Sequence, residues 1–173
     1  MAKIINDWKN TTPNTLKIDW AAIEKELGYV LHDSIKDIYS RVIAKKCKGT
    51  MKFNPADFVK EYVNMENWLE GANDGSPNCE IELYPITKTD TEYLRAFFRE
   101  AFFGDWTGGN DFGHRAYIGE ICLNIGQICL IFNNDTGRFE WVDMGYGYFD
   151  VYEENPYGII ADSAEEFLGK ISR

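Results

Sequence analysis

The chain has 173 residues, enough for one domain with a single sizeable core, and its 45% hydrophobic and 15% aromatic content excludes disorder as the default state. Eighteen basic against 28 acidic residues give a net charge of −10, which disfavours nucleic acid and anionic membranes as partners and favours a basic protein surface. No apolar run approaches the roughly 20 residues of a membrane span, and no signal-peptide core is visible at the start. We therefore expect a cytoplasmic protein.

Cysteine and histidine usage favours neither a disulfide framework nor a metal site. The chain has only two histidines and four cysteines, none of them in a C-x-x-C pair. Two of the cysteines, Cys122 and Cys129, fall in apolar runs where a free thiol behaves as a small hydrophobe. We expect no metal and no cofactor.

Helical periodicity dominates the first half of the chain, after a polar lead-in over residues 1–18. Asp19 is a good N-cap for a helix with Trp20 on its apolar face, and Gly28 is placed to stop it. A second helix, with apolar residues at i, i+3, i+4, i+7 and i+8, is expected around Ile35, Ile38, Tyr39, Val42 and Ile43, with Lys45, Lys46 and Lys48 in its last turn.

Three further elements are predicted before residue 115. A helix begins at Asn54-Pro55 and runs to Leu69, and the turn-rich segment 71–78 then separates a helical part from a strand-rich part. Residues 79–86 alternate as a strand that lies at an edge or ends at Pro85. The pattern Thr89-x-x-Glu92 resembles a capping box ahead of another amphipathic helix.

The second half is predicted to be mostly β. Residues 116–123 and 127–132 are apolar on both faces, residues 133–137 form a turn, residues 138–143 alternate, and 148–152 is a candidate strand. Asp162 or Ser163 caps a closing helix whose apolar side carries Phe167, Leu168 and Ile171. The order favours an α+β single domain, spanning residues 19–173, in which a largely antiparallel sheet packs against N-terminal and C-terminal helices.

Two motifs resemble parts of known catalytic sites. Asp135-Thr136-Gly137 matches the core of aspartic proteases, but those enzymes need two such loops, and Asn, Asp and Gly at these positions predict a hairpin turn. The glycine-rich segment 104–114 lacks the ending of a phosphate loop, and its Asp105, Asp111 and His114 form either an acid/base cluster or a surface loop. We assign no catalytic residues, and a hydrolase that uses this loop stays as the alternative.

Tyrosines and acids are concentrated between residues 145 and 158. Tyrosine supplies contact area with a polar tip, so this stretch is either a protein-binding surface or part of the sheet packing. As a binding surface it would use Tyr146, Tyr148 and Tyr152 as anchors and Asp143, Asp150, Glu153 and Glu154 as a charged rim.

Several segments together resemble the SUKH superfamily. Trp20–Gly28 followed by Leu31–Tyr39 resembles its opening helix pair, with His32 where members usually have proline. Residues 126–133 and 136–143 resemble its paired strands with the Thr-Gly and Trp-Val-Asp motifs, and residues 160–168 resemble its closing helix with Ala-Asp-Ser and Glu-Glu-Phe-Leu.

The resemblance implies an immunity protein that binds and neutralises a cognate bacterial toxin, often a nuclease, in the cytoplasm. The superfamily also includes fungal regulators of cell-wall synthesis, so a regulatory scaffold is the other non-catalytic alternative. The family supplies no catalytic set to carry over. The partner expected from both the resemblance and the charge is a toxin with a basic surface.

Overall fold

The computed structural model describes residues 16–41, 47–52, 78–99, 113–122, 128–143 and 157–172. Within these ranges the chain forms four helices: α1 (Trp20–Leu27), α2 (Asp33–Arg41), α3 (Thr91–Arg99) and α4 (Ala164–Gly169). The strands are β1 (Cys47–Lys52), β2 (Asn78–Leu83), β3 (Arg115–Cys122), β4 (Ile128–Asn133), β5 (Arg138–Asp143), β6 (Tyr157–Ala161) and the two-residue β7 (Ile171–Ser172). These elements form one mixed α+β domain.

Capping side chains set the helix starts. Asp19 accepts a hydrogen bond from the Ala22 amide at 3.1 Å to begin α1, which ends at Gly28 in the left-handed region with φ 79°. Ser163 accepts from the Glu166 amide, and the Glu166 carboxylate accepts in return from the Asp162 amide, so α4 begins with a capping box shifted by one residue. These two starts confirm the predicted caps.

The described strands form one sheet in the order β6-β5-β4-β3-β2-β1-β7, and every neighbouring pair is antiparallel. Strands β1 to β6 lie side by side in the same order as in the sequence, and a tight turn over residues 134–137 joins β4 to β5. The predicted antiparallel sheet is therefore confirmed, and it is larger than the sequence indicated.

The connection through α4 shows that this sheet is curled. A flat sheet would hold β6 and β7 about 29 Å apart across six strand spacings. The chain from Ala161 to Ile171 spans at most about 26 Å, because half of its residue-to-residue steps lie within the helix. Consistent with this, the Lys170 ammonium just before β7 donates a hydrogen bond to the Ile160 carbonyl oxygen of β6.

The two faces of the sheet differ in chemistry. On the helix-facing side the pairs Leu130–Trp141 and Phe132–Phe139 join one core cluster with residues from all four helices. Phe139 stacks on Phe167 of α4 with ring centroids 4.1 Å apart and 4° between the planes. We call the other side the polar face; it carries Tyr84, Arg115, Tyr117, Glu120, Cys129, Asn133 and Glu140.

Three local predictions are wrong. Lys48 belongs to β1 and pairs with Glu82, so it does not lie in the last turn of a helix. Ile171 pairs with Met51 in β7, where ladder formation replaces the predicted helical position. The cap of α3 is Asp90, which accepts from the Tyr93 amide at 2.9 Å, and not Thr89.

Some of the other predictions are confirmed, and some concern segments that the structure does not describe. The strand bounds 138–143 are confirmed to the residue, β3 and β4 are each shifted by one residue from their predictions, and β2 ends at Leu83, three residues before its predicted end. The predicted helix 54–69, strand 148–152 and turn residues 71–77 lie outside the described residues, as do Val42, Ile43, Lys45 and Lys46. Asn78, the last residue of the predicted turn, is the first residue of β2. Strand β6 was not predicted. In the described part of the chain, no helix is long and apolar enough to cross a membrane.

Candidate functional site

The predicted partner-binding residues fall mostly on one undescribed segment. Tyr146, Tyr148, Asp150, Tyr152, Glu153 and Glu154 all lie outside the described residues. Asp143 is described, and here the prediction needs correction: it ends β5 opposite Ile128 and is only 2% exposed. A carboxylate this buried offers no charge to an approaching partner, so Asp143 is not a rim residue.

The strand that follows this segment does present apolar surface. Tyr157 and Ile159 on β6 are 48% and 42% exposed, and their spacing of two places them on the same side of the strand. β6 is the last strand of the sheet among the described residues. An aromatic and a branched aliphatic side chain are thus exposed directly after the predicted binding segment.

The Asp135-Thr136-Gly137 motif forms the tight turn between β4 and β5. The Gly137 amide donates to the Asn133 carbonyl at 2.8 Å, and Gly137 has φ 73°, in the region that favours glycine. A Cβ at this position would stand 2.5 Å from the His32 ring. The motif thus acts as a hairpin turn, as predicted.

Asn134 fastens this turn to the link between α1 and α2. Its side-chain oxygen accepts from the His32 amide at 2.7 Å, and its side-chain nitrogen donates to the Val30 carbonyl at 2.9 Å. One side chain therefore satisfies two backbone groups of a segment about one hundred residues away in the sequence. Such backbone groups otherwise need water or another partner.

His114 reaches the same turn from the start of β3. Its Nδ1 lies 2.6 Å from Asp135 Oδ1, its amide donates to Asp135 Oδ2 at 3.3 Å, and its ring stacks on Tyr29 at 3.8 Å between centroids. Asp105 and Asp111, the other members of the predicted cluster, lie outside the described residues. The structure brings His114 together with Asp135, a pairing that sequence spacing did not predict.

Electrostatics around this pair favour an ionised Asp135. Burial alone would raise the pKa of its carboxyl, but the hydrogen bonds and positive charge from His114 and Arg115 outweigh burial and lower it. Burial, followed by the charge of Asp135, raises the pKa of Tyr29 to about 12, and the Tyr29 hydroxyl donates to the Phe98 carbonyl at 3.1 Å. The hydrogen-bonded carboxylate orients the imidazole, which is chemically what a general base requires.

A buried ion pair crosses the polar face at the same end of the sheet. Glu140 Oε2 accepts from Arg115 Nε at 2.8 Å, and its Oε1 accepts from the Asn133 side chain at 2.7 Å. The side chains of Arg115 and Glu140 are 25% and 8% exposed. Alternation along β5 predicts that Glu140 lies on the other side of the strand from Phe139 and Trp141, but it does not indicate that Glu140 is buried.

A second polar cluster lies further along this face. The hydroxyls of Tyr84 and Tyr117 lie 2.9 Å apart and both donate to Glu120 Oε1, in the case of Tyr117 at 2.7 Å. Burial is the main cause that raises the pKa of both tyrosines, and their bonds to Glu120 raise it further. Burial also raises the pKa of the neighbouring Cys129 thiol to about 12, so this cysteine is a poor nucleophile near neutral pH.

Within the described ranges no group of three or more His, Cys, Asp or Glu side chains is arranged to hold a metal ion. No protein-family model matches the chain, and no significant match was found among curated proteins or solved structures.

Proposed function

We propose that this chain is a cytoplasmic immunity protein of the SUKH type, which neutralises a cognate bacterial toxin by binding it without catalysis. The observation that carries the proposal is spatial: the segments that resemble the superfamily, although scattered along the sequence, pack against one another. Each segment alone is only a capped helix or a hairpin, but their mutual packing forms one unit.

The first contact within this unit joins the opening helix pair to the paired strands. Gly28 ends α1 in the left-handed region, and the link that follows is held by both ends of the Asn134 side chain. His32, at the position where the superfamily usually has proline, accepts from the Ser34 amide through Nδ1 at 3.2 Å. This substitution therefore keeps a defined start for α2.

The second contact joins the paired strands to the closing helix. Phe139 of β5 stacks on Phe167 of α4, and Arg138 Nε donates to Asp162 Oδ1 at 2.7 Å. Asp162 and Phe167 belong to the Ala-Asp-Ser and Glu-Glu-Phe-Leu motifs. The closing helix is thus fixed by the same hairpin that binds the opening helix pair.

Charge supports a toxin as the partner. A nuclease toxin presents a basic, phosphate-binding surface, and a protein with a net charge of −10 attracts such a surface over several ångströms. The proposed contact surface keeps Tyr146, Tyr148 and Tyr152 as anchors and Asp150, Glu153 and Glu154 as rim charges. Tyr157 and Ile159 extend it onto β6, where both are exposed.

One observation favours the hydrolase alternative: Asp135 holds the His114 imidazole in a fixed orientation. The same bonds also fasten β3 to the turn between β4 and β5, which is a structural role. His114→Gln separates the two. The immunity proposal expects the variant to protect cells as the wild type does, whereas a catalytic role for His114 expects protection to be lost in a folded protein.

The experiment that tests the proposal is co-expression with the product of the neighbouring gene. We expect growth inhibition by that product to be relieved, and the two proteins to co-purify as a complex of fixed stoichiometry. An inhibitory product that neither binds this chain nor is suppressed by it would contradict the proposal.

A further inference from the structure

Both histidines of the chain, the only two in its sequence, contact the turn between β4 and β5. The ring of His32, in the link between α1 and α2, lies over Gly137, where a Cβ would stand 2.5 Å from it. His114, just before β3, places its Nδ1 2.6 Å from Asp135 Oδ1. We call this meeting of three segments the histidine joint; it comprises residues 29–34, 113–115 and 133–137.

His32 is the N-cap of α2. Its carbonyl accepts from the Lys36 amide at 3.3 Å, and its ring Nδ1 accepts from the Ser34 amide at 3.2 Å, so the neutral ring carries its proton on Nε2. A second proton goes to Nδ1, where it replaces the acceptor with an N–H group that faces the Ser34 N–H. It also places a positive charge at the end of a helix where the dipole favours negative charge. Proton uptake by His32 should therefore weaken the start of α2.

His114 has the opposite tautomer. The hydrogen bonds and charge from His114 and Arg115 outweigh burial and lower the pKa of Asp135, so its partner is a carboxylate, which only accepts. Nδ1 of His114 is thus the donor, and the lone pair lies on Nε2. A second proton goes to Nε2, leaves the bond to Asp135 intact and makes it charge-assisted. The ring also stacks on Tyr29, whose aromatic face attracts a cation. Proton uptake by His114 should therefore strengthen its contacts.

Other charged side chains surround the joint. Carboxyl, lysine and arginine side chains ordinarily titrate outside the range from pH 5 to pH 8, whereas histidine titrates within it. Burial raises the pKa of Tyr29 to about 12, so this phenol stays neutral in that range. The histidines are thus the groups that respond near neutral pH. In the described part of the chain, the neighbouring charged side chains are Glu24 of α1, Asp33 and Lys36 of α2, Arg99 of α3, Arg115 of β3 and Glu140 of β5.

We infer that the histidine joint is a pH-sensitive device, in which a fall from pH 8 to pH 5 weakens the N-cap of α2 and strengthens the bond between His114 and the turn. The firmly held part of the joint thus shifts from the start of α2 to the start of β3. Val30 of the link is 71% exposed, so the change reaches the protein surface. This inference does not depend on the proposed function.

The test follows amide–water exchange of Ser34 and His114 by ¹⁵N NMR between pH 5 and pH 8, with each rate divided by that of the same residue in an unfolded peptide. The Ser34 amide should exchange roughly fivefold faster at pH 5 than at pH 8, as expected for the loss of an N-cap. The His114 amide, which donates to Asp135 Oδ2 at 3.3 Å, should exchange roughly twofold more slowly. A change in overall stability moves both amides in the same direction, so that result would overturn the inference.

The ring nitrogens give a second readout, which a purely structural role for the two histidines would not require. At pH 8 we expect the lone pair on Nδ1 in His32 and on Nε2 in His114, visible as two different patterns of ¹⁵N ring signals. Both rings should gain a proton between pH 8 and pH 5. The same tautomer in both rings, or a ring that does not titrate in this range, would contradict the inference.

Two variants serve as controls for each other. His32→Asn keeps a side-chain acceptor suited to an N-cap but one that does not titrate, so the pH dependence at Ser34 should disappear while that at His114 remains. Asp135→Asn removes the carboxylate, so the pH dependence at His114 should disappear while that at Ser34 remains. A Ser34 response that persists in His32→Asn, or a His114 response that persists in Asp135→Asn, would show that the histidines are not the source.

Discussion

The helix-facing side of the sheet is built from apolar side chains, whereas the polar face buries carboxylates and packs part-buried tyrosines and an arginine around them. On the first side Phe139 and Trp141 are both fully buried among hydrophobic residues. On the second, Glu140 is 6% exposed although it lies between them in the sequence. The polar face also includes the fully buried Ile131 and Val142, but among them it buries a carboxylate, a group that prefers water.

The difference shows how each side is stabilised. The helix-facing side gains free energy from buried apolar area and loses it when a cavity is made. On the polar face each hydrogen bond contributes little net free energy of folding, but the loss of one partner leaves a buried polar group unsatisfied, which is costly. Substitutions on the two sides should therefore destabilise the protein for different reasons.

The largest effect is expected on the helix-facing side. Phe139→Ala removes the ring that stacks on Phe167 and packs against Phe132, and it should lower the free energy of unfolding by about 3–5 kcal/mol. Urea denaturation at pH 7 measures this. Phe139→Leu, which retains apolar volume, should cost clearly less; equal losses for the two variants would contradict the view that buried apolar volume stabilises this side of the sheet.

A smaller effect is expected from the buried ion pair on the polar face. Glu140→Ala leaves Arg115 and the Asn133 amide without their shared acceptor and should cost about 2–3 kcal/mol. The control is Asp162→Ala, which breaks the exposed pair with Arg138 and should cost less than about 1 kcal/mol. If both cost the same in urea denaturation, the polar face is not buried as described.

The tyrosines of the polar face should make the protein sensitive to alkali. Because the folded state raises the pKa of Tyr84 and Tyr117, their contribution to stability is complete below about pH 10 and falls as the pH rises above it. Tyr117→Phe should cost about 1 kcal/mol at pH 7 and make the alkaline decline less steep. Thermal unfolding between pH 8 and 11 checks this, and an unchanged slope would contradict it.

The smallest effect concerns the turn between β4 and β5. Asp135 has a lowered pKa, so its contribution is present above about pH 4 and is lost as the pH falls through its folded-state value. Since its side chain is half exposed, Asp135→Asn should cost only a few tenths of a kcal/mol at pH 7. Urea midpoints between pH 2 and 6 should converge for the two proteins at the acid end; parallel curves would contradict this.

Local signals predicted the helix-facing side and the β4–β5 hairpin well. Phe139 and Trp141 alternate along β5, and the Asn-Asn-Asp-Thr-Gly run defines the turn. Strands β1 and β7 were not predicted. β1 contains two lysines and a glycine, and β7 has only two residues, so both become strands only through pairing with distant partners. Propensity alone cannot reveal such long-range pairing.

The candidate site was less predictable for the same physical reason. The tyrosine-rich segment is visible in composition, and alternation places Asp143 on the same side of β5 as Phe139 and Trp141, so the interpretation of its carboxylate as a rim charge overlooked a signal for burial that the strand carries. Trp20, Asp37 and Glu165 line one cleft because α4 packs near α2. Nothing in the spacing of these residues predicts that they share a surface.

The central claim, neutralisation by binding and not by catalysis, is tested most directly by titrating the toxin's activity with this protein. We expect the residual activity of the toxin to fall linearly to zero at a fixed stoichiometric ratio. The remaining activity should not change with longer incubation, and it should return when the complex is dissociated. Complete and time-dependent inactivation by a few per cent of an equivalent would contradict it and would identify the chain as an enzyme that acts on the toxin.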